Sequence, residues 1–213
     1  DAGDAAPALA ELDRRGLTLT HIFNTHHHPD HIGGNAALKA RFPDAVLIGP
    51  RSETARIAHM DKTVADGDTV DFGGLTFKTI EVPGHTRGHV AFWSPEARAV
   101  FCGDTLFALG CGRTFEGTPD QMWRSLSKLR ALPPETRIFC GHEYTQNNAR
   151  FARTVDPDNA ALAERAAEVD RLRAQGLPTI PSTRGLEYAT NPFLRADTPG
   201  CAEGVGLAGK GPV

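Results

Sequence analysis

Helical and strand-like patterns of apolar residues alternate along the first part of the chain. Residues 6–15 have the amphipathic spacing of a helix that ends at Gly16. Residues 17–25 form a short β-prone run, and residues 45–49 form an apolar run typical of a buried strand. Because residues 35–42 have a helical pattern between these runs, the order predicts a parallel βαβ unit.

The middle of the chain has the patterns of antiparallel strands. Residues 69–84 contain two alternating runs joined at Gly73 and Gly74, which predicts a β-hairpin. Residues 89–94 and 98–104 are typical of two further strands. This stretch therefore adds a second group of strands to the predicted fold.

The β pattern stops after residue 141, where the chain becomes helical. Before this point a helix is predicted at residues 120–132 and a strand at residues 137–141, and after it helices are predicted at residues 145–154 and 159–175. We therefore predict a mixed α/β sandwich over residues 1–145 and a small helical domain over residues 146–213.

Composition narrows the class of protein. The 213 residues carry a net charge of -3 and are 40% hydrophobic, which is the balance of an ordinary globular protein. The sequence contains neither an apolar run of about 18 residues nor a long basic run, so we expect no membrane and no nucleic-acid partner. The four cysteines form no CxxC pair, which favours reduced thiols and a cytoplasmic location.

A dense histidine cluster follows the first predicted strand. On an extended chain residues i and i+2 face the same way, so His26 and His28 project together while His27 points away. Asp30 and His31 follow on the next turn. Imidazole and carboxylate groups suit zinc, iron or manganese. Five such groups exceed what one ion can use, so the cluster favours a second ion over a solvated surface loop.

Three other strand ends carry a side chain of the same kind. His85, Asp104 and His142 each follow a predicted strand, in the segments PGHTRGH, CGDT and CGHEY. Strand ends are where α/β sheets collect functional groups. We therefore expect these three residues to join the histidine cluster.

The ordered series HxHxDH, GHTxGH, GDT and GHE resembles the metallo-β-lactamase superfamily. This resemblance implies an αββα sandwich with two divalent metal ions at one edge of its sheets, zinc being the first candidate and iron or manganese the alternatives. By the same resemblance one ion binds His26, His28 and His85, the other binds Asp30, His31 and His142, and Asp104 bridges both.

The chemistry expected of such a centre is hydrolysis. One bound zinc ion lowers the pKa of water from about 15.7 to about 7, and two ions sharing one water keep it as hydroxide. That hydroxide attacks a carbonyl carbon, and the metal stabilises the developing oxyanion. Asp104 offsets the repulsion between the cations, and Asp30 and Asp104 are the predicted catalytic carboxylates.

Longer segments resemble one family within this superfamily, the hydroxyacylglutathione hydrolases (glyoxalase II). They are THHHPDHIGGN, FCGDTLFALGCGR, FEGTPDQMWRSL, CGHEYTQNNARFA and NPFLR. The resemblance implies hydrolysis of S-(2-hydroxyacyl)glutathione thioesters, such as S-lactoylglutathione, in methylglyoxal detoxification. It also implies a C-terminal domain that forms one wall of the glutathione site. Arg113 and Tyr144 match glutathione contacts of the family, and Phe115 stands where some members have Tyr.

The sequence departs from that family at its two ends. Family members have further strands of the N-terminal sheet before the position of Asp1, and a basic segment after that of Val213. We expect an exposed sheet edge and an incomplete substrate site in this chain, which weakens its folding or activity. We also expect a monomer.

Two other functions remain open on the sequence. The first is another enzyme of the same fold, such as a lactonase or a persulfide dioxygenase with one iron ion. The second is a metal-bound scaffold without turnover, against which the complete ligand set argues. The number of metal ions per chain and a thioester assay distinguish these possibilities.

Overall fold

The computed structural model describes residues 1–209. The helices are α1 (Ala5–Arg15), α2 (Pro29–Ile32), α3 (Asn35–Arg41), α4 (Pro119–Arg130), α5 (Thr145–Val155), α6 (Ala160–Ala174), α7 (Arg184–Thr190) and α8 (Pro199–Gly204). The strands are β1 (His21–Phe23), β2 (Val46–Pro50), β3 (Lys62–Val64), β4 (Thr69–Phe72), β5 (Leu75–Glu81), β6 (Val90–Ser94), β7 (Ala99–Gly103), β8 (Leu106–Phe107), β9 (Gly110–Cys111), β10 (Arg137–Cys140) and β11 (Ser182–Thr183). A short 3₁₀ helix (Arg51–Glu53) follows β2.

The strands form two main sheets and one short hairpin. The first sheet has the order β1-β2-β3, and the second has the order β11-β10-β7-β6-β5-β4. Strand β1 pairs in parallel with β2, which confirms the predicted βαβ unit, although two short helices rather than one make the crossover. The predicted hairpin is β4–β5, and its turn residues Gly73 (φ 58°) and Gly74 (φ 77°) both have the positive φ that a two-residue turn of this type needs.

Apolar side chains from the two sheets meet in one core. This inter-sheet core comprises Ile48, Val64, Val70, Phe77, Val90 and Phe92. On the outer face of the first sheet, α1 and α3 bury Ala5 and Leu38 against Ile22 and Leu47. On the outer face of the second sheet, α4 packs its apolar residues against β7 and β10. The four layers are therefore helix, sheet, sheet and helix, which confirms the predicted αββα sandwich.

Helices α5 to α8 follow the sandwich and include the predicted helical segments. The prediction that strands end after residue 141 is wrong at β11, which pairs antiparallel with β10. A strand of two residues is too short to produce an alternating pattern, so the sequence does not indicate it. Residues 210–213 of the predicted second domain lie outside the described residues, and the domain division near residue 145 stays a prediction.

The fold bears on two expectations from the sequence, one about membrane-spanning helices and one about the cysteine thiols. Within residues 1–209, none of the helices has the length and apolar character needed to span a bilayer. Burial raises the pKa of the Cys111 thiol to about 12 and that of the Cys140 thiol to about 11. Both thiols are therefore protonated at neutral pH.

Candidate metal centre

The ends of four strands bring the candidate ligands to one edge of the sandwich. Residues 26–31 follow β1, and the carbonyl oxygen of Thr25 accepts a hydrogen bond (2.9 Å) from the Val90 N–H at the start of β6. His85 lies in the loop between β5 and β6. Strands β7 and β10 are parallel neighbours, so Asp104 and His142 leave the second sheet at the same edge.

Three histidines form the first cluster of candidate ligands. The ligand atoms of His26, His28 and His85 all lie within 4.8 Å of one another. The His28 Nδ1 and His85 Nε2 atoms are 3.0 Å apart. The buried His26 Nε2 has no hydrogen-bond partner among residues 1–209. An unpartnered nitrogen inside a histidine cluster fits a site for a cation.

The second cluster lies beside the first and includes a carboxylate. The ligand atoms of Asp30, His31 and His142 also lie within 4.8 Å of one another. His142 Nε2 is 3.2 Å from His31 Nε2 and 3.1 Å from Asp30 Oδ2. The Asp30 side chain is 60% exposed, so solvent reaches this cluster.

Asp104 lies between the two clusters and contacts both. Its Oδ2 is 3.5 Å from His85 Nε2 in the first cluster and 3.6 Å from His142 Nε2 in the second. Its Oδ1 is 3.3 Å from His31 Nε2. Burial raises the pKa of the Asp104 carboxyl, but the neighbouring imidazoles, led by His31, lower it further, so the net shift is downward. Asp104 is therefore a carboxylate placed to join the clusters.

Outer hydrogen bonds orient two of the imidazoles. His85 Nδ1 donates to the carbonyl oxygen of Arg113 (2.9 Å), and His31 Nδ1 donates to Asp1 Oδ2 (2.9 Å). Each bond leaves the Nε2 lone pair directed at the centre, which is how ligating histidines are usually held. Asp1 was not identified from the sequence, because nothing in the pattern of residues near position 1 indicates a partner 30 positions away.

His89 is a further buried histidine that the ligand series does not include. Its ring stacks on His26 with centroids 4.5 Å apart, and its Nε2 accepts a hydrogen bond (3.1 Å) from the Asp104 N–H. Burial lowers the pKa of His89 to about 3, so the ring is neutral at neutral pH and keeps its acceptor nitrogen. His89 therefore supports the backbone at Asp104.

His27 points away from the centre, as the alternation of the extended chain predicted. Its Nδ1 lies 3.0 Å from Glu53 Oε2, and its Nε2 lies 3.2 Å from Arg56 Nη1. Arg56 also donates to Glu116 Oε1 at 2.6 Å. His27 therefore anchors the outer side of the ligand segment.

The chemistry of the clustered side chains fits divalent metal ions. Burial lowers the pKa of His26, His28 and His85, so these imidazoles stay neutral and offer lone pairs. Neutral imidazoles and carboxylates are the donors that zinc, iron and manganese accept in proteins. The candidate ligands thus form two adjoining clusters with one shared carboxylate.

The three predicted substrate contacts lie around this centre. The Phe115 ring is 5.3 Å from the His85 ring and is 64% exposed. The Tyr144 ring stacks on His142 at 5.2 Å and is half exposed. The side chain of Arg113 is exposed, while its carbonyl oxygen binds His85. One aromatic ring therefore flanks each ligand cluster.

Comparison with known proteins defines the superfamily and the family of this chain. Residues 1–142 match the metallo-β-lactamase superfamily, and the chain belongs to this superfamily of proteins that bind divalent metal ions. Residues 143–211 match the C-terminal region of hydroxyacylglutathione hydrolases. Together with the relatives described next, this match shows that the chain belongs to the hydroxyacylglutathione hydrolase family, a family of thioester hydrolases.

Similar proteins cover most of the chain. It is 55% identical over 212 residues to a hydroxyacylglutathione hydrolase of Ruegeria pomeroyi, covering 100% of this chain and 83% of that protein. It is 57% identical over 207 residues to a hydroxyacylglutathione hydrolase of Brucella anthropi, covering 97% and 79%. Among solved structures, TTHA1623 in a di-iron-bound form is 28% identical with a TM-score of 0.65, covering 91% of this chain and 87% of that one.

Proposed function

We propose that this chain hydrolyses S-(2-hydroxyacyl)glutathione thioesters, for example S-lactoylglutathione to lactate and glutathione. Family membership and the names of the relatives support the substrate class. The observation that carries the proposal is the pair of ligand clusters that share Asp104. A thioester carbonyl needs an activated water and a stabilised oxyanion, and a metal centre of this kind meets both needs.

We further propose two divalent ions per chain, with zinc as the first candidate and iron or manganese as alternatives. His26, His28 and His85 would hold one ion, Asp30, His31 and His142 the other, and Asp104 both. The di-iron form of TTHA1623 supports two ions in a protein of this fold. When bound, such ions lower the pKa of water and polarise a carbonyl group.

The protein side chains contribute position and charge. Asp104 is held through its backbone by His89 and places one carboxylate oxygen near each cluster. Asp1 and the carbonyl of residue 113 hold His31 and His85 in the tautomer that presents Nε2 inward. Asp30 is the exposed carboxylate of the centre, and its side chain is 60% exposed.

The glutathione part of the substrate is assigned to the rim of the centre. The Arg113 guanidinium is exposed there and is suited to a bidentate pair with a glutathione carboxylate. Phe115 and Tyr144 flank the two clusters and supply aromatic walls for the thioester group. Because Phe115 has no hydroxyl, one polar contact made by a tyrosine at this position is absent.

Metal analysis combined with a thioester assay tests the proposed function. We expect about two metal ions per chain and a fall in thioester absorbance when the metal-loaded protein meets S-lactoylglutathione. His85→Ala should lose metal and turnover, since it removes a ligand of the first cluster. His27→Gln is the matched control, because His27 lies in the same segment but faces Glu53, and it should keep its metal.

Other outcomes would favour the alternatives. Two bound ions without turnover would indicate a metal-bound scaffold. One iron ion per chain with oxygen consumption would indicate a dioxygenase, and turnover of lactones in place of thioesters would indicate a lactonase. The monomeric state, the cytoplasmic location and the absence of nucleic-acid and membrane partners stay predictions.

A further inference from the structure

The short hairpin β8–β9 connects two residues that matter to the metal centre. It begins two residues after Asp104 and ends two residues before Arg113, whose carbonyl oxygen orients His85. Its turn places Leu109 at φ 60°, a left-handed conformation that a branched side chain rarely adopts without support. The conformation of this hairpin therefore sets the relative positions of Asp104 and the carbonyl that holds His85.

Side chains from α5, from α7 and from Asn191, the residue that follows α7, bind the backbone of every residue from 107 to 110. Asn191 Nδ2 donates to the carbonyl oxygens of Phe107 (3.1 Å) and Gly110 (3.0 Å). Asn148 Nδ2, on α5, donates to the carbonyl oxygen of Ala108 at 3.0 Å. The Leu109 N–H donates to Glu187 Oε2, on α7, at 2.9 Å. We call these three side chains the turn clamp.

The turn clamp is built around a buried carboxylate. Glu187 is fully buried, and its Oε2 also accepts a hydrogen bond from Asn191 Nδ2 at 3.0 Å. Its Oε1 accepts hydrogen bonds from Arg165 and Ser182. A buried carboxylate is costly unless its charge and lone pairs are satisfied, and here they are satisfied by groups that fix it against the turn.

The Asn148 side chain of the turn clamp lies very close to the backbone of Gly110. A Cβ atom added to Gly110 would lie 2.5 Å from Asn148 Nδ2. Only glycine leaves room for the amide to reach the carbonyl of Ala108. The hairpin and the C-terminal helices are therefore fitted to one another through specific polar groups.

We propose that Glu187, Asn191 and Asn148 are positioning residues for the metal centre, acting through the β8–β9 turn on Asp104 and His85. Only the expected effect on turnover rests on the proposed function; the expected effect on zinc affinity does not. Outer residues that orient metal ligands typically contribute about 10- to 100-fold to metal affinity or activity. We therefore expect the clamp to influence zinc affinity and turnover as well as stability.

The test compares Asn191→Leu with Thr190→Val. Asn191→Leu removes both hydrogen bonds to the turn at similar volume, and we expect the zinc dissociation constant to rise about tenfold and kcat to fall more than KM rises. Thr190 is the control, because it is fully buried one residue away and bonds Arg165 and Leu186 but not the turn. Thr190→Val should lower the free energy of unfolding and leave the zinc dissociation constant unchanged.

Chelator competition measures zinc binding, and urea unfolding measures stability. Equal zinc dissociation constants in the two variants would overturn the inference. If Asn191→Leu does not fold, Asn148→Ala decides, because Asn148 is only half-buried and contributes one bond to the turn. Unchanged zinc affinity in Asn148→Ala would then overturn the inference. A different outcome separates the two proposals. If Asn191→Leu weakens zinc binding but the wild-type chain has no thioesterase activity, the proposed function is refuted and the positioning role of the turn clamp is not.

Discussion

At the scale of single residues, glycines make room for the candidate ligands of the metal centre and for a residue beside them. A Cβ atom on Gly141 would lie 2.4 Å from Asp104 Oδ1 and 2.6 Å from His31 Cε1. A Cβ atom on Gly103, whose φ is 47°, would lie 2.3 Å from Thr25 Oγ1. Real Cβ atoms do not approach other atoms so closely. Gly141 therefore leaves the space in which Asp104 and His31 meet, and Gly103 leaves the space that Thr25 occupies.

Gly141→Ala should disrupt metal binding. The added methyl group displaces Asp104, whose carboxylate the two clusters share, and His31, which belongs to the second cluster. We expect zinc content after dialysis to fall by at least one ion per chain, while far-ultraviolet circular dichroism still shows the folded chain. Elemental analysis of the dialysed protein measures the change.

Gly16→Ala is the control for a glycine replacement in general. Gly16 ends α1 at φ 63° with no atom within 4 Å of its added Cβ. Alanine there costs about 1–2 kcal/mol for the left-handed conformation but should leave zinc content unchanged. Equal zinc loss in both variants would contradict the role assigned to Gly141.

The candidate ligands could be located from the sequence better than the residues that support them, and their role as ligands stays a prediction. The alternation of an extended chain placed His26 and His28 on one side and His27 on the other, as the structure has them. Asp1 and His89 act on His31 and Asp104 through contacts between distant segments. No local pattern indicates such contacts, because they depend on how the two sheets pack.

At the scale of elements, α4 shows how local sequence signals and packing combine. Thr118 and Gln121 form a capping box, in which each side chain accepts a hydrogen bond from the other's backbone N–H. The buried face of the helix, with Met122, Leu126 and Leu129, packs on the second sheet. The helix therefore has a defined start and a defined apolar face.

Thr118→Ala should destabilise the protein by about 1 kcal/mol, because the Gln121 N–H loses its acceptor at the helix start. Urea unfolding measures this change in the free energy of unfolding. Thr118→Ser keeps a hydroxyl acceptor and should recover most of the loss. Equal stability of the alanine and serine variants would show that the cap contributes nothing measurable.

Element length decided what the sequence could predict. The long helices α1, α4, α5 and α6 and the β4–β5 hairpin have repeated apolar positions or glycine turn signals, and they were predicted within a few residues. The elements β3, β8, β9 and β11 have two or three residues each and were missed. Too few positions are present for a periodicity, so these strands depend on the neighbours with which they pair.

At the scale of the whole molecule, the metal centre joins segments from the beginning, middle and later part of the chain. Its candidate ligands extend from His26 to His142 and come from the connections of both sheets. Ions that bind these residues bind the folded chain in preference to the unfolded one, because only the folded chain brings the residues together. Metal binding should therefore stabilise the entire sandwich rather than one loop.

Removal of metal should lower the melting temperature of the whole chain. At a free zinc concentration of about 100 times the dissociation constant, binding adds about 2.7 kcal/mol to the free energy of unfolding. For a chain of this size we expect a difference of roughly 5–10 °C between zinc-loaded and chelator-treated protein. Differential scanning calorimetry measures both samples.

His85→Ala serves as the comparison for this effect. It removes a ligand of the first cluster, so zinc should raise its melting temperature less than that of the wild type. If chelator leaves the wild-type melting temperature unchanged, the link between the metal centre and global stability is wrong.

Arg113 has two separate roles: its carbonyl oxygen binds His85, and its side chain faces the proposed glutathione site. The carbonyl oxygen bonded to His85 is present whatever amino acid occupies this position. The exposed guanidinium is therefore free to change under selection for a new substrate, with no penalty to the imidazole behind it. This position is therefore a natural starting point for directed evolution toward thioesters of thiols other than glutathione.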